Sequence, residues 1–233
     1  MAGKAAFDEL WGFSRGRKPR DGFEPLAEWI GNAPPGELER RQQAAEAAFR
    51  NLGITFAVYG EAEAAERIIP FDIIPRVFSA AEWKRLEAGL EQRVNAINAF
   101  IDDVYGERRI LADGVIPEDI VLANAQFCIP CAAARPPHGV YAHICGIDLV
   151  RTGPDQFYVL EDNARTPSGV SYMLENRETM LRLCPELFDL LPVRPVDSYP
   201  ELLRDTLRSV SPRRSADPVC VLLTPGQYNS AYY

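Results

Sequence analysis

Residues 146–163 have the sequence GIDLVRTGPDQFYVLEDN, in which two apolar runs flank the turn-forming sequence TGPD. Two apolar runs joined by such a turn are typical of a β-hairpin. The second run ends in Glu161, Asp162 and Asn163. Because side chains alternate between the faces of a strand, Glu161 and Asn163 are expected on one face and Asp162 on the other. The stretch therefore predicts a hairpin that ends in a cluster of oxygen-bearing side chains.

The length of the turn determines the face on which Asp148 lies. A four-residue loop would pair Arg151 with Gln156. Asp148 would then lie opposite Val159 and on the same face as Glu161, at a diagonal of roughly 7–8 Å. A loop of three or five residues would move Asp148 to the other face.

With the four-residue loop, Asp148, Glu161 and Asn163 would form one cluster of oxygen ligands. Carboxylate and amide oxygens suit Mg²⁺, which retains room for water and phosphate oxygens in its coordination shell. The alternative is that these residues are solvated polar groups at the end of a strand. The spacing alone leaves both possibilities open for Asp148, Glu161 and Asn163.

Composition limits the partners that the protein can have. The net charge of −8 argues against a nucleic-acid partner or an anionic membrane. The sequence contains no apolar run near the ~18 residues of a membrane span, and its N-terminus lacks the apolar core of a signal peptide. We therefore expect a soluble, cytoplasmic protein with no nucleic-acid and no membrane partner.

The five cysteines do not indicate a disulfide framework, because their number is odd. Cys128 and Cys131 form a CxxC motif. The motif lies in a loop rich in proline and alanine, and the sequence has no second CxxC that would complete a zinc site. We interpret the motif as incidental, and any role for these two thiols stays open.

Periodicity and capping predict the remaining elements. Helices are predicted over residues 23–30, 37–52, 80–105, 170–183 and 199–210, with short helical pieces over 108–122. Strands or extended segments are predicted over 54–59, 66–74, 140–144 and 218–223, and a turn region over 185–195. The fold class is therefore α+β or α/β, with a mixed or antiparallel sheet and flanking helices.

Several longer stretches also match a known family. They are ITFAVYG at 54–60, RIIPFDIIPR at 67–76, FIDDVYG at 100–106, PPHGVY at 136–141, GIDLVR at 146–151 and LEDNARTPSGVSYMLENR at 160–177. On these motifs the chain resembles the circularly permuted ATP-grasp proteins of type 2, relatives of glutathionylspermidine synthetase. Members of that family are roughly twice as long, so the resemblance implies the N-terminal half of such a protein.

The resemblance implies an ATP-dependent carboxylate–amine ligase that forms an amide or peptide bond through an acyl phosphate. ATP and Mg²⁺ would be the cofactors, and a small-molecule or peptide carboxylate and an amine the substrates. Asp148, Glu161 and Asn163 match the metal-binding positions of the family. A polar, glycine-containing loop follows them and opens a helix, an arrangement suited to anions.

Further site residues follow from this resemblance. Ser168 and Gly169 are expected to bind the cofactor, and Arg165 is expected to act on phosphate or on the substrate carboxylate. Gly146 replaces a family arginine, so Arg151 becomes a candidate for stabilising the acyl phosphate. No lysine follows Lys84. The lysines that hold ATP phosphates in the family are therefore expected outside this chain, and the chain alone is expected to be inactive.

The predicted organisation has three parts. They are a helical N-terminal segment (1–53), a partial ATP-grasp domain with the metal-binding hairpin (54–215) and the truncated start of a following α/β unit (216–233). Truncation would expose apolar surface around 219–223 and could lead to a homo-oligomer. Two alternatives stay open: a non-catalytic binding or partner module that keeps the fold, and a metal-dependent hydrolase, for which the sequence offers no general base.

Overall fold

The computed structural model describes residues 6–13, 18–57, 66–212, 217–224 and 226. Its fold is α+β. The helices are α1 (Glu24–Asn32), α2 (Glu37–Leu52), α3 (Ala80–Tyr105), α4 (Arg109–Ala112), α5 (Glu118–Leu122), α6 (Val170–Leu183), α7 (Pro185–Leu190) and α8 (Tyr199–Ser209). The strands are β1 (Thr55–Ala57), β2 (Glu66–Ile68), β3 (Gly146–Gly153) and β4 (Gln156–Asn163), and two 3₁₀ helices span Ile129–Ala133 and Pro137–Gly139.

The two longest helices begin and end where their local sequence predicts. Gly53 follows α2 in a left-handed conformation (φ 72°) and ends the helix. At the start of α3, the Ser79 hydroxyl accepts a hydrogen bond from the Glu82 backbone N–H at 3.2 Å, and the Glu82 carboxylate accepts one from the Ser79 N–H at 3.0 Å. This is the predicted capping box. Every helix in the described ranges is too short or too polar to cross a bilayer.

The main hydrophobic core lies between the N-terminal helices and the pair α6–α7. Phe49 of α2 is completely buried and meets Phe71 edge-on at 5.2 Å between ring centroids. The other buried members of this core are Leu26, Ala45, Ile54, Ile73, Met180, Cys184 and Leu187. The sequence predicts a boundary at residue 53 between a helical N-terminal segment and the partial ATP-grasp domain. Residues from both sides of this boundary contribute to the same core.

The hairpin β3–β4 lies against α3 rather than against a larger sheet. Arg93 of α3 donates two hydrogen bonds to the Asp162 carboxylate, at 2.6 and 2.5 Å. Near the other end of the interface, the rings of Phe78 and Phe157 stack at 6.3 Å. α3 and Phe78, which precedes it, therefore contact the face of the hairpin that carries Phe157 and Asp162.

Of the two sheet types expected from sequence, mixed or antiparallel, the described residues contain the antiparallel one. These residues contain two separate two-stranded antiparallel sheets, β1–β2 and β3–β4. The predicted strand over 54–59 is present from Thr55 to Ala57, and its last two residues lie outside the described ranges.

The predicted strand over 140–144 is wrong. One side chain of α3 pairs with this segment instead: Asn98 Oδ1 accepts hydrogen bonds from the backbone N–H groups of Tyr141 (2.7 Å) and Ala142 (2.9 Å). Asn98 Nδ2 also donates to the Ala142 carbonyl at 3.3 Å. Because the amide satisfies backbone groups that a strand would need, the segment does not require a partner strand.

Two further predictions near the C-terminal end are corrected. The region 185–195, predicted as a turn, begins with the short helix α7, which has proline in its first turn, where a missing N–H costs nothing. Residues 218–223, predicted as a buried strand, form no strand. Their apolar side chains are exposed, and those of residues 219, 221, 222 and 223 are between 77% and 92% accessible.

Candidate functional site

The hairpin places the two predicted metal-binding carboxylates directly opposite each other. Asp148 of β3 pairs with Glu161 of β4, and Gly146 pairs with Asn163. Side chains of directly opposite residues share one face, with Cβ atoms about 4.5–5.5 Å apart. Asn163, two residues beyond Glu161, lies on the same face. The structure therefore brings all three predicted ligands together.

The expected pairing of the strands was nevertheless wrong. Arg151 pairs with Phe157 rather than Gln156, and Asp148 does not pair with Val159. The turn is tight, with Gly153 opposite Gln156, and the register shifts between Arg151 and Gly153.

A second register shift brings the two carboxylates onto one face. Leu149 pairs with Val159 while Asp148 pairs with Glu161, so Leu160 is the extra residue of a β-bulge. In an unbroken ladder, Asp148 would pair with Leu160, and Glu161 would lie on the opposite face. Bulges often re-aim a side chain next to a functional site.

The face that carries this cluster is open to solvent. Asp148, Glu161 and Asn163 are all exposed. Asn163 Nδ2 donates to Glu161 Oε1 at 3.1 Å, and within the described ranges neither carboxylate forms an ion pair with a basic side chain. Asp162 lies on the other face, where the hydrogen bond from Arg93 lowers its pKa.

The loop after β4 folds over the same face. A Cβ built on Gly146 would lie 3.3 Å from the Pro167 Cβ and 3.4 Å from the Asn163 Cβ. Gly146 and Asp148 lie on one face of β3, so Pro167 covers the end of the face that carries the carboxylates. A side chain at position 146 would require Pro167 or Asn163 to move by a few tenths of an ångström.

The loop ends at the beginning of α6. Gly169 precedes the helix with φ 100°, a conformation that L side chains rarely adopt. No side-chain cap hydrogen bond is present at the start of α6 in the described residues, and helix starts of this kind can bind anions. Ser168 is exposed beside this helix start, and Arg165 is exposed with Nη1 3.1 Å from Gln126 Oε1.

Arg151 is not part of this cluster. It lies on the covered face of β3, and its side chain is only 3% exposed. Its guanidinium donates to Glu9 Oε2 at 2.9 Å, to the Pro154 carbonyl at 2.6 Å and to Glu82. Its Cζ lies 4.9, 5.7 and 5.1 Å from the ring centroids of Phe7, Phe78 and Phe157. The expectation that Arg151 stabilises an acyl phosphate is therefore corrected, because its donors are occupied and it faces away from Asp148.

The cluster presents oxygen donors on an exposed face. Its donors are two carboxylates and one amide, which suit Mg²⁺ and leave positions for water or phosphate. The described residues contain no group of three or more His, Cys, Asp or Glu side chains able to hold a metal. A site built here would accordingly depend on the Asn163 amide and on ligands from a bound molecule.

Sequence reasoning missed the residues that shape the site. Leu160, Pro167 and Gln126 have no chemistry of their own that would identify them. A bulge at Leu160 can be found only from the pairing of both strands, and the contact of Gln126 with Arg165 joins segments 39 residues apart.

A family model described as "A circularly permuted ATPgrasp" matches residues 75–233. An uncharacterized protein of Synechocystis sp. is 48% identical over 227 residues, which cover 97% of this chain and 47% of that protein. One from Mycobacterium tuberculosis is 45% identical over 228 residues, which cover 98% and 40%. A Frankia casuarinae protein named "Putative glutamate--cysteine ligase 2-2" is 38% identical over 200 residues, which cover 85% and 23%. The chain thus spans about half or less of the length of these relatives.

Proposed function

We propose a function from the premise that the chain belongs to the circularly permuted ATP-grasp family. The protein is an ATP-dependent ligase that joins a carboxylate to an amine through an acyl phosphate. A ligase also appears in the name of the Frankia casuarinae relative. The substrates are a small-molecule or peptide carboxylate and an amine.

The direct pairing of Asp148 with Glu161 carries this proposal. Like charges directly opposite each other in an antiparallel sheet are destabilising. Both carboxylates are exposed on a face with no basic partner in the described ranges. A divalent cation removes the repulsion, and the oxygen donors fit Mg²⁺. The metal-binding residues of the proposal are Asp148, Glu161 and Asn163.

The loop and the start of α6 hold the phosphates in this proposal. Pro167 brings the loop onto the face with the carboxylates, and Gly169 provides the conformation that opens the helix. Ser168 and the first N–H groups of α6 bind phosphate oxygens, and Arg165 orients the phosphate or the substrate carboxylate. Mg²⁺ bound at the carboxylates would neutralise charge on the transferred phosphoryl group.

The proposal places the rest of the ATP site outside this chain. No lysine follows Lys84, and the chain covers 47% of its Synechocystis relative. Calorimetric titration of this chain with Mg·ATP is therefore expected to give little or no heat. Micromolar binding would contradict the divided site.

The test uses a longer protein that contains this chain. Asp148→Asn and Glu161→Gln are expected to abolish the Mg²⁺-dependent formation of ADP. Because each substitution removes a repulsion, it should leave the chain as stable or stabilise it by about 0.2–1 kcal/mol. Asp155→Asn is the matched control, because this exposed carboxylate lies in the turn of the same hairpin and bonds to Arg85.

Three outcomes separate the possibilities. Lost activity with an unchanged melting temperature supports the proposal, and retained activity contradicts it. A large fall in the melting temperature of Asp148→Asn would instead assign the carboxylates to folding. A wild-type protein that forms no ADP with any carboxylate and amine would favour a non-catalytic module.

A further inference from the structure

The segment between α5 and the second 3₁₀ helix brings two thiols together. Cys128 immediately precedes the 3₁₀ helix Ile129–Ala133, and the Cys131 backbone N–H donates to the Cys128 carbonyl at 2.9 Å. The side chains of Cys128 and Cys131 are also within hydrogen-bond reach of each other. The two thiols of the CxxC motif therefore lie close together on one turn.

The backbone of this turn has a spacing that a disulfide can bridge. Residues at the ends of a turn closed by such a hydrogen bond have Cα atoms less than about 7 Å apart. Disulfides bridge Cα separations of about 4.4–6.8 Å. The turn is also fixed by groups other than the thiols: the Tyr105 hydroxyl accepts a hydrogen bond from the Cys128 N–H at 3.0 Å. The Tyr105 ring stacks on Phe127 at 4.7 Å with an interplanar angle of 6°.

The two thiols differ in exposure. Cys128 is exposed, whereas Cys131 is half-buried. A hydrogen bond with Cys128 and partial desolvation raise the pKa of the Cys131 thiol. Since access limits the reaction of a thiol with a disulfide, the exposed Cys128 is the thiol that meets a reagent first.

We propose that Cys128 and Cys131 form a reversible dithiol–disulfide site that exchanges with low-molecular-weight disulfides. The Cys128 thiolate attacks one sulfur of the small disulfide, which forms a mixed disulfide and releases one small thiolate. Cys131 then loses its proton and attacks the Cys128 sulfur, which releases the second small thiol. Two protein thiols are oxidised and one small disulfide is reduced to two thiols.

The position of the pair also relates it to the loop after β4. Gln126, two residues before Cys128, accepts the hydrogen bond from Arg165 at 3.1 Å. The site thus lies on the segment that contacts this loop. The exchange chemistry itself is independent of the proposed ligase function, and its test requires no turnover.

The test follows the exchange by mass. The reduced, folded chain with Cys220→Ser, which removes the other exposed thiol, is placed in buffers with different ratios of oxidised to reduced glutathione. The samples are quenched with acid, alkylated and analysed as intact protein and as peptides. We expect a loss of two hydrogens in the peptide that contains residues 128–131, and its reversal in excess reduced glutathione.

Two single variants identify the order of attack. Cys131→Ser is expected to accumulate the glutathione adduct on Cys128 to a level about tenfold above that of the parent, because the resolving thiol is missing. Cys128→Ser should form its adduct more slowly, because Cys131 is half-buried. Circular dichroism of the reduced and oxidised parent should be the same, since the turn needs no rearrangement.

Two results would overturn the proposal. The first is a stable glutathione adduct on Cys128 of the parent without closure to Cys131. The second is no reaction of Cys128 under conditions in which Cys220 of the unsubstituted chain forms its adduct.

Discussion

Replacing Arg151 with methionine tests whether this arginine stabilises the fold. Its guanidinium lies between Glu9 and Glu82 and is 3% exposed. Arg20 also reaches Glu82, and its Nη1 donates to the Glu9 carbonyl at 2.8 Å. The N-terminal segment, the start of α3 and the hairpin are thus joined by an ion-pair network of Arg20, Arg151, Glu9 and Glu82, and Arg76 Nε lies 3.6 Å from the Glu9 carboxylate.

The cost of Arg151→Met follows from this arrangement. Removing one member of a buried ion pair typically costs about 3–5 kcal/mol, because the remaining charge stays desolvated. Arg20 still bonds to Glu82, so we expect a value near the lower end, about 3 kcal/mol. For a chain of this size, each kcal/mol lowers the melting temperature by roughly 2–4 °C, so the expected fall is about 6–12 °C.

The assay is urea unfolding at neutral pH together with calorimetry. Arg165→Met is the matched control: Arg165 is exposed, and its replacement should change the free energy of unfolding by no more than about 0.5 kcal/mol. In the Arg151→Met/Glu82→Gln double variant, the two costs should be less than additive, because both residues belong to one network. A loss below about 1 kcal/mol for Arg151→Met would refute the structural role.

Three further predictions concern stability and association. Asn98→Ala should lower the free energy of unfolding in urea by about 1–3 kcal/mol, because it leaves backbone groups of residues 141–142 without partners. Asn95→Ala, at an exposed position of the same helix, is the control, and equal stability of the two variants would contradict this prediction. Burial raises the pKa of Glu82, but the Ser79 N–H and Arg151 lower it below its ordinary value of 4.5, so the unfolded chain binds the proton first as the pH falls. Stability from this group should therefore decline below about pH 4.5, and thermal unfolding of Glu82→Gln should show a weaker decline. Residues 219–223 should cause concentration-dependent association in light scattering, and a monodisperse monomer would count against it.

The parts of the fold predicted from sequence are those that local interactions determine. Gly53 ends α2, and reciprocal hydrogen bonds between Ser79 and Glu82 begin α3. In each case the residues that form the signal lie within four positions of one another. The strand predicted over 140–144 failed for the opposite reason. The partner of its backbone is the side chain of Asn98, more than 40 residues earlier in the chain. An apolar run gives no indication that a side-chain amide will take the place of a neighbouring strand.

The exposed stretch 218–223 illustrates a second limit. Its composition predicts a buried strand, but a strand forms only where a neighbour pairs with its backbone. The described residues contain no strand paired with it. Its apolar character alone does not provide that neighbour.

The hairpin shows how a face can be predicted correctly from a wrong register. The four-residue loop paired Asp148 with Val159, whereas the structure pairs it with Glu161, two positions further along β4. From Leu149 to Arg151 the register differs from the expected one by a single residue, which places Phe157 and Val159 on the face opposite Asp148. The bulge at Leu160 adds a second residue and returns Glu161 to the face of Asp148. The two carboxylates therefore share a face as expected, as a direct pair rather than a diagonal one. Arg151 was misassigned because its type suggested phosphate, whereas its position on the strand determined its partners.

The alternation of the hairpin separates charges that stabilise the fold from charges that do not. On the covered face, Arg151 bonds to Glu9 and Glu82, and Asp162 bonds to Arg93. On the open face, Asp148 and Glu161 lie opposite each other, and within the described ranges no basic side chain pairs with either. Two opposed like charges contribute no stability to the hairpin. Under the proposed function, a divalent cation bound at these carboxylates would account for this arrangement, together with the exposed face, the bulge at Leu160 and the uncapped start of α6.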